Sequence, residues 1–232
     1  MNDNTLSGHT IPQEPLNKLQ DDPSLSSTSI LEISQLAQRK IQELACLYEI
    51  GKTLASSLDL FKTCSGILEI LARLMGMNRG TITLLDTNTD ELYIEIAHGL
   101  TEKEKRRGRY KIGEGITGKV VEMGEPLIVP QIGNEPLFLN KTGARKKIEK
   151  DKISFICVPI KLEERIIGAL SVDRLFEKGI SLEEDVRLLT IIASMIAQAV
   201  KISQMVEEEK GKLIQENLNL QQQLVNRYSF EN

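Results

Sequence analysis

The chain has 232 residues, 41% of them hydrophobic, enough to bury one good core and carry additional helix. A formal net charge of −4, 4% aromatic residues and no Trp argue against both a broad electrostatic surface for phosphate backbones and a stacking platform for bases. No stretch reaches the roughly 18 uninterrupted apolar residues of a membrane span, and the polar start lacks the basic-then-apolar order of a signal peptide, so the expected location is cytoplasmic, with no membrane partner.

In chain order, residues 1–29 hold Asn, Asp, Ser, Thr and Pro with few apolar residues and no period. Such a segment cannot offset the entropy of ordering and reads as a disordered tail. From Ile30 the pattern changes: Ile33, Leu36, Ala37, Ile41, Leu44, Leu47, Tyr48 and Leu54 fall at helical spacing until Ser57 to Asp59 interrupt them. A second amphipathic helix follows through Phe61, Cys64, Ile67, Leu68, Leu71 and Met75 and ends near Gly76. Thr81 to Leu85 and Glu91 to Ala97 are β-rich runs joined by the turn sequence Asp86-Thr87-Asn88-Thr89-Asp90, which predicts a hairpin. The cysteines, Cys46, Cys64 and Cys157, are odd in number, far apart and set among apolar residues. That suits reduced core thiols rather than a metal site shared with His9 or His98.

The stretch from Arg107 to Asn140 invites two nucleotide-binding readings. Gly113, Gly115 and Gly118 satisfy G-x-G-x-x-G, and Gly113 to Lys119 supplies G-x-x-x-x-G-K. A phosphate-binding loop needs a Ser or Thr hydroxyl after the lysine to hold Mg²⁺, and Val120 stands there instead. Both motifs also need a long helix packed on a parallel sheet, whereas helical sequence here runs only from about Ile116 to Met123 before Gly124 and Pro126 stop it. The reading adopted is a short helix whose N-terminal amides face a small-ligand pocket. Short strands are predicted near Arg109 to Ile112 and Leu127 to Val129. A second hairpin pairs Ile153 to Ile160 with Ile166 to Val172 around Lys161 to Arg165. About six strands result, in hairpins, with helices grouped at both ends of the chain: an α+β fold with an antiparallel sheet.

The last helix begins at Ser181, where Glu184 completes the form of a capping box, and runs to about Asn226 without a proline. Steps of three and four select Leu189, Ile192, Ile196, Ala199, Ser203, Val206, Lys210, Leu213, Asn217, Leu220 and Leu224, a heptad seam. Its polar members, Ser203, Lys210 and Asn217, weaken a coiled coil while specifying a two-stranded register. Two readings stand: a dimeric coiled coil, or a helix that packs on its own sheet up to about Val200 and continues as a solvated linker.

Taken in order, YEIGKTLASSLDL, MGMNRGTITLLD, RGRYKIGEGITGKVVEMGEPLIVPQIGNEPLFLN, ISFICVPI, IGALSVDRLF and EEDVRLLTIIASMIAQAV resemble the amino-terminal GAF domain of the NifA-type nitrogen-fixation regulators. The resemblance implies residues 30–206 as the sensory domain, 207–226 as a coiled-coil linker helix and 227–232 as the first residues of an absent AAA+ ATPase. It further implies an antiparallel sheet with the terminal helices on one face and the ligand pocket on the other. Longer members continue into that ATPase, which remodels sigma-54 RNA polymerase, and then into a helix-turn-helix. Polymerase and DNA are therefore expected as partners only through domains this chain lacks.

The same resemblance places Gly115, Ile116 and Thr117 at the pocket, their amides toward an anionic group, and Pro130 to Asn140 as a lid with Phe138 as its apolar wall. Ser154, Phe155 and Cys157 on one strand, and Ser171, Asp173 and Arg174 on another, face either the cavity or the opposite helices, and Phe138 and Phe155 also suit plain core packing. Some GAF domains that bind cyclic nucleotides share an N-K…F-x-x-x-D-E pattern; Asp173-Arg174 and Leu182 depart from it, although Glu184 and Asp185 are near. The resemblance points instead to 2-oxoglutarate as ligand, or to a PII-type or NifL-type regulatory protein, with a cyclic nucleotide as the alternative and no cofactor or metal required. Arg107, Arg109, Arg145 and Arg174 are the bidentate cations available to a dicarboxylate. Arg174 is preferred because it follows a strand, while the others sit in mixed-charge runs. A homodimerisation module with a vestigial pocket is the other reading. No nucleophile, base and orienting group fall at an enzyme's spacing.

Overall fold

The computed structural model describes residues 27–145, 152–175 and 181–229. The predicted tail lies outside the described residues except for its last three, Ser27 to Ser29, which open the first helix, and residues 230–232 also lie outside. The chain divides into two units, 1–41 and 42–232. The first contributes the start of α1 (Ser27–Ser56), on which Ile30, Ile33, Leu36 and Ile41 are exposed.

In the second unit, α1 continues with Cys46 and Ile50 fully buried while Leu44 and Tyr48, members of the predicted stripe, face solvent. The helix α2 (Leu60–Met75) is set by its ends. The Asp59 carboxylate accepts the Lys62 amide at 3.0 Å, and Gly76 closes the last turn in the left-handed conformation. Between these caps Cys64, Ile67, Leu68, Leu71 and Met75 form one buried face.

Six strands follow: β1 (Arg79–Asp86), β2 (Glu91–His98), β3 (Arg109–Lys111), β4 (Leu127–Val129), β5 (Ile153–Leu162) and β6 (Arg165–Leu175). They make one sheet in the order β3-β2-β1-β6-β5-β4, and every pairing is antiparallel. Between β2 and β3 a short helix, α3 (Glu102–Arg107), occupies what reads in the sequence as a charged loop. Thr101 and Glu104 cap it reciprocally, and that pairing suffices for a helix with no buried side chain. The pocket-side helix α4 (Gly115–Met123) lies between β3 and β4, and α5 (Leu182–Ser229) closes the chain.

Alternation along the central strands sends side chains into two separate cores. Ile82, Ile156, Val158, Leu170 and Val172 meet Ile67, Leu68 and Leu71 of α2 and Leu189, Ile192 and Ile196 of α5. On the other face Phe155, Cys157 and Ala169 meet Ile116, Val120 and Val121 of α4. By length and composition α5 would suffice to cross a membrane, yet Leu188, Leu189, Ile192, Ala193, Ile196, Ala197 and Val200 are in the first core. Beyond that point Val206, Leu213 and Leu220 of the heptad seam are exposed.

Candidate functional site

The site is assembled on the pocket face, starting from the glycine loop. The Glu114 amide donates to the Lys111 carbonyl at 3.0 Å, and the Gly113 amide to the Gly118 carbonyl at 3.0 Å, so chain direction reverses tightly before α4 begins. A Cβ at Gly118 would lie 2.3 Å from the Lys111 carbonyl oxygen, which only glycine permits. Gly115 adopts φ 62°, again a conformation that favours glycine. The turn itself therefore accounts for the phosphate-loop spacing. No side chain caps the first turn of α4, leaving the positive end of the helix open to a guest.

The expected lid of Pro130 to Asn140 borders the cavity together with the residues that continue it to Arg145, and four groups hold this segment. The Ser154 hydroxyl donates to the Pro130 carbonyl at 2.7 Å, and the Ile132 amide to the Ile153 carbonyl at 3.0 Å. Phe138 packs edge-on against Phe155, with centroids 5.1 Å apart at 70°. The Lys141 ammonium donates to the Arg109 carbonyl at 2.9 Å and pairs with Glu114 at 2.5 Å. That ammonium and the Lys111 amide hold the Glu114 carboxyl below its ordinary range. Arg145 supplies the fourth anchor.

Arg145 is only 7% exposed. Its Nε donates to Asp173 Oδ2 at 2.7 Å and its Nη2 to Oδ1 at 2.5 Å, a bidentate pair on a carboxylate that is itself 5% exposed. Its guanidinium carbon lies 5.0 Å from the Phe138 ring centroid and 5.4 Å from that of Phe155, so both rings contribute cation–π attraction. Arg79 Nη1 stands 3.8 Å from Asp173 Oδ2, so two guanidinium groups share one buried carboxylate. Nη1 of Arg145 carries no hydrogen bond among the described residues.

The cavity under the lid has a volume of about 30 Å³, space for roughly one or two waters. Its floor is hydroxyl-rich: Thr81 and Thr83 from β1 and Ser171 from β6, with the Thr81 and Ser171 hydroxyls 2.7 Å apart. Asn140, at φ 44°, lines it with a buried Oδ1 that has no hydrogen-bond partner among the described residues. Burial pushes the Tyr110 phenol up to about 12, so it stays a neutral donor. Burial likewise pushes the Cys157 thiol up to about 12, against a weaker opposing bond with Thr117, which removes it as a nucleophile. A roomier groove of about 220 Å³ between α1, α2 and α5 is lined by residues such as Leu58, Met195 and Ile202 and offers no charged group among the described residues, whereas a cavity of about 80 Å³ behind Asp173 is lined by Arg79, Asp173 and Arg174.

The structure brings Gly115, Ile116, Thr117, Phe138, Phe155 and Ser171 to this cavity. Asp173 stands behind it as the partner of Arg145. Two expected ligand contacts are elsewhere. Ser154 turns away to tie down Pro130, and Arg174, the arginine preferred from sequence, points to the helix face. There its Nη1 donates to the Met75 carbonyl at 2.9 Å and its Nε pairs with Asp185 Oδ2 at 3.1 Å, so alternation along β6 removes it from the pocket. Arg109 pairs with Glu91 at the exposed sheet edge, and Arg107 is exposed on α3. Among the described residues Arg145 is the cation at the cavity, where the sequence offers only the start of a mixed-charge run. Thr81 and Thr83 also escape sequence reading, although their spacing puts both on one face of β1.

Against known proteins, a family model described as GAF domain matches residues 59–200. The Nif-specific regulatory protein of Herbaspirillum seropedicae is 38% identical over 191 residues, which is 82% of this chain and 35% of that protein. The nitrogen fixation protein VnfA of Azotobacter vinelandii is 36% identical over 198 residues, 85% of this chain and 38% of that one. The chain thus spans about a third of the length of these relatives. Among solved structures, the A. Aeolicus nlh2 GAF domain in an inactive state superposes with a TM-score of 0.64 at 26% identity, over 70% of this chain and 98% of that one.

Proposed function

Because this chain belongs to the GAF domain family, we propose that it is the sensory module of a NifA-like, sigma-54-dependent activator of nitrogen fixation and that it reads a small carboxylate, 2-oxoglutarate first among them. The observation that carries the ligand reading is Arg145: a buried guanidinium held on one edge by Asp173, with Nη1 unbonded among the described residues, at a cavity that also borders the open end of α4. A carboxylate there gains a charge-assisted hydrogen bond and the helix dipole together. The cavity is smaller than any such ligand, so occupancy requires the lid to give way. A cyclic nucleotide would demand far more displacement, and the departure at Asp173-Arg174 and Leu182 weighs against it as well.

The module is no enzyme in this reading. It works in the cytoplasm as a homodimer joined along the distal half of α5, where Val206, Leu213 and Leu220 stand exposed at heptad spacing between Ser203, Lys210 and Asn217. Its output is control of the AAA+ ATPase found in regulators of this kind, with a PII-type or NifL-type protein as a further input. Relatives named as Nif-specific regulatory proteins support that assignment. Calorimetry with 2-oxoglutarate is expected to show saturable binding that Arg145→Ala weakens tenfold or more, about 1.4 kcal/mol. Absence of binding heat in the unmodified protein sinks the ligand assignment.

A further inference from the structure

The end of β6 joins the cavity to the root of α5. Asp173 and Arg174 are consecutive, both at least nine-tenths buried, and of opposite charge, and the pleat sends them to opposite faces of the sheet. On the pocket face Asp173 holds Arg145, at the end of the segment that continues the lid, by hydrogen bonds of 2.5 and 2.7 Å. On the helix face Arg174 holds Asp185, which is fully buried in the first turn of α5, and the Met75 carbonyl at the end of α2. The two residues are also in register with their neighbours, Asp173 opposite Arg79 of β1 and Phe155 of β5, and Arg174 opposite Ser154. Lid, sheet and both helix ends therefore meet within one dipeptide.

A buried carboxylate that loses its partner cannot stay as it was. Without Arg145, Asp173 retains, among the described residues, only the Arg79 ion pair at 3.8 Å, and must turn toward it or toward water. Its backbone neighbour Arg174 has no slack to absorb that movement, because it is tied at two points on elements packed to interior density. A ligand carboxylate on Nη1 competes with Asp173 for the same guanidinium, and a cavity of about 30 Å³ must widen to admit it.

We propose that Asp173 and Arg174 are the transmission element of this domain: withdrawal of the Arg145 guanidinium from Asp173 loosens the hold of Arg174 on Asp185 and on the end of α2, and so releases the root of α5. The proposal rests on the reading of the Arg145 cavity as a ligand site, yet the mechanical link is testable without any ligand. Hydrogen exchange on the full chain compares the unmodified protein with Arg145→Met, which keeps side-chain length and removes the guanidinium. Exchange is expected to rise about tenfold in the first two turns of α5 and at the end of α2, as well as in the lid. Arg145→Lys, a gentler change, gives an intermediate rise and keeps the test decisive where the methionine variant unfolds. Combined with Asp185→Asn, Arg145→Met adds little further exchange in α5, because the link is already cut. Raised lid exchange with α5 unchanged, or full additivity of the two substitutions in α5, overturns the proposal. Titration with 2-oxoglutarate forms a separate arm: no binding removes the ligand assignment while the variants still decide the linkage.

Discussion

The two faces of this sheet are made from alternate residues of the same strands, and they are built for different ends. Toward the helices β5 and β6 present Ile156, Val158, Ile160, Leu170 and Val172, all at most 1% exposed in a core of aliphatic and sulfur-bearing side chains. Toward α4 and the lid the intervening positions are Phe155, Cys157, Ala169 and Ser171, and β1 adds Thr81 and Thr83. Small and hydroxyl-bearing side chains leave space and polarity on that face, while bulk and hydrophobicity accumulate on the other. A period of two thus lets one short sequence encode a stable support and a chemically responsive surface in the same strands.

The sharpest way to break that division is to ask how much stability the pocket face itself carries. Asp173→Ala leaves the Arg145 and Arg79 guanidinium groups without their shared carboxylate, and the expected cost is about 3–5 kcal/mol by urea unfolding. A loss below about 1 kcal/mol would show that water already screens the pair. On the opposite face Leu170→Ala is expected to cost about 2–4 kcal/mol through the cavity it leaves, with 2-oxoglutarate affinity held within about twofold. Affinity that falls in step with stability would mean the two faces are not separable.

The smallest effect is acid-dependent. The carboxyl of Glu114 is held below its ordinary value of 4.5 by Lys141 and by the Lys111 amide. A depressed carboxylate stabilises the fold above that ordinary value and ceases to do so as pH falls through the lowered one. Side-chain exposures of 29% for Lys141 and 36% for Glu114 screen the pair, so the contribution stays within about 1 kcal/mol. Thermal midpoints of the unmodified protein and Glu114→Gln should differ slightly near pH 7 and converge as pH falls through the lowered value. A gap that widens in acid would place the stabilising group elsewhere.

Local signals made much of this architecture legible. Asp59 and Gly76 bound α2 as their capping chemistry requires, the turn from Asp86 to Asp90 joins β1 to β2, and the apolar run from Ile153 is a strand buried on both faces. What local pattern could not carry was pairing across distance. Arg145 and Arg174 look alike in sequence, each beside polar or charged residues, and only the register of β6 decides that one meets Asp173 and the other Asp185. Thr101 and Glu104 did carry a readable capping signature for α3, obscured by the Lys and Arg that follow. The seam along α5 mixes two uses of one periodicity: Leu189, Ile192 and Ile196 serve the core, and the same spacing continues in residues exposed beyond it.

The length of α5 makes it a lever. At roughly 1.5 Å per residue its 48 residues extend about 70 Å, whereas its seat on the sheet, from Asp185 in the first turn to Val200, takes up only the first part of that length. A rotation of about 5° where the helix leaves the sheet carries the far end through about 4 Å, a large part of one helical turn. A displacement too small to notice at the base is thereby magnified at the tip to the size of a register change.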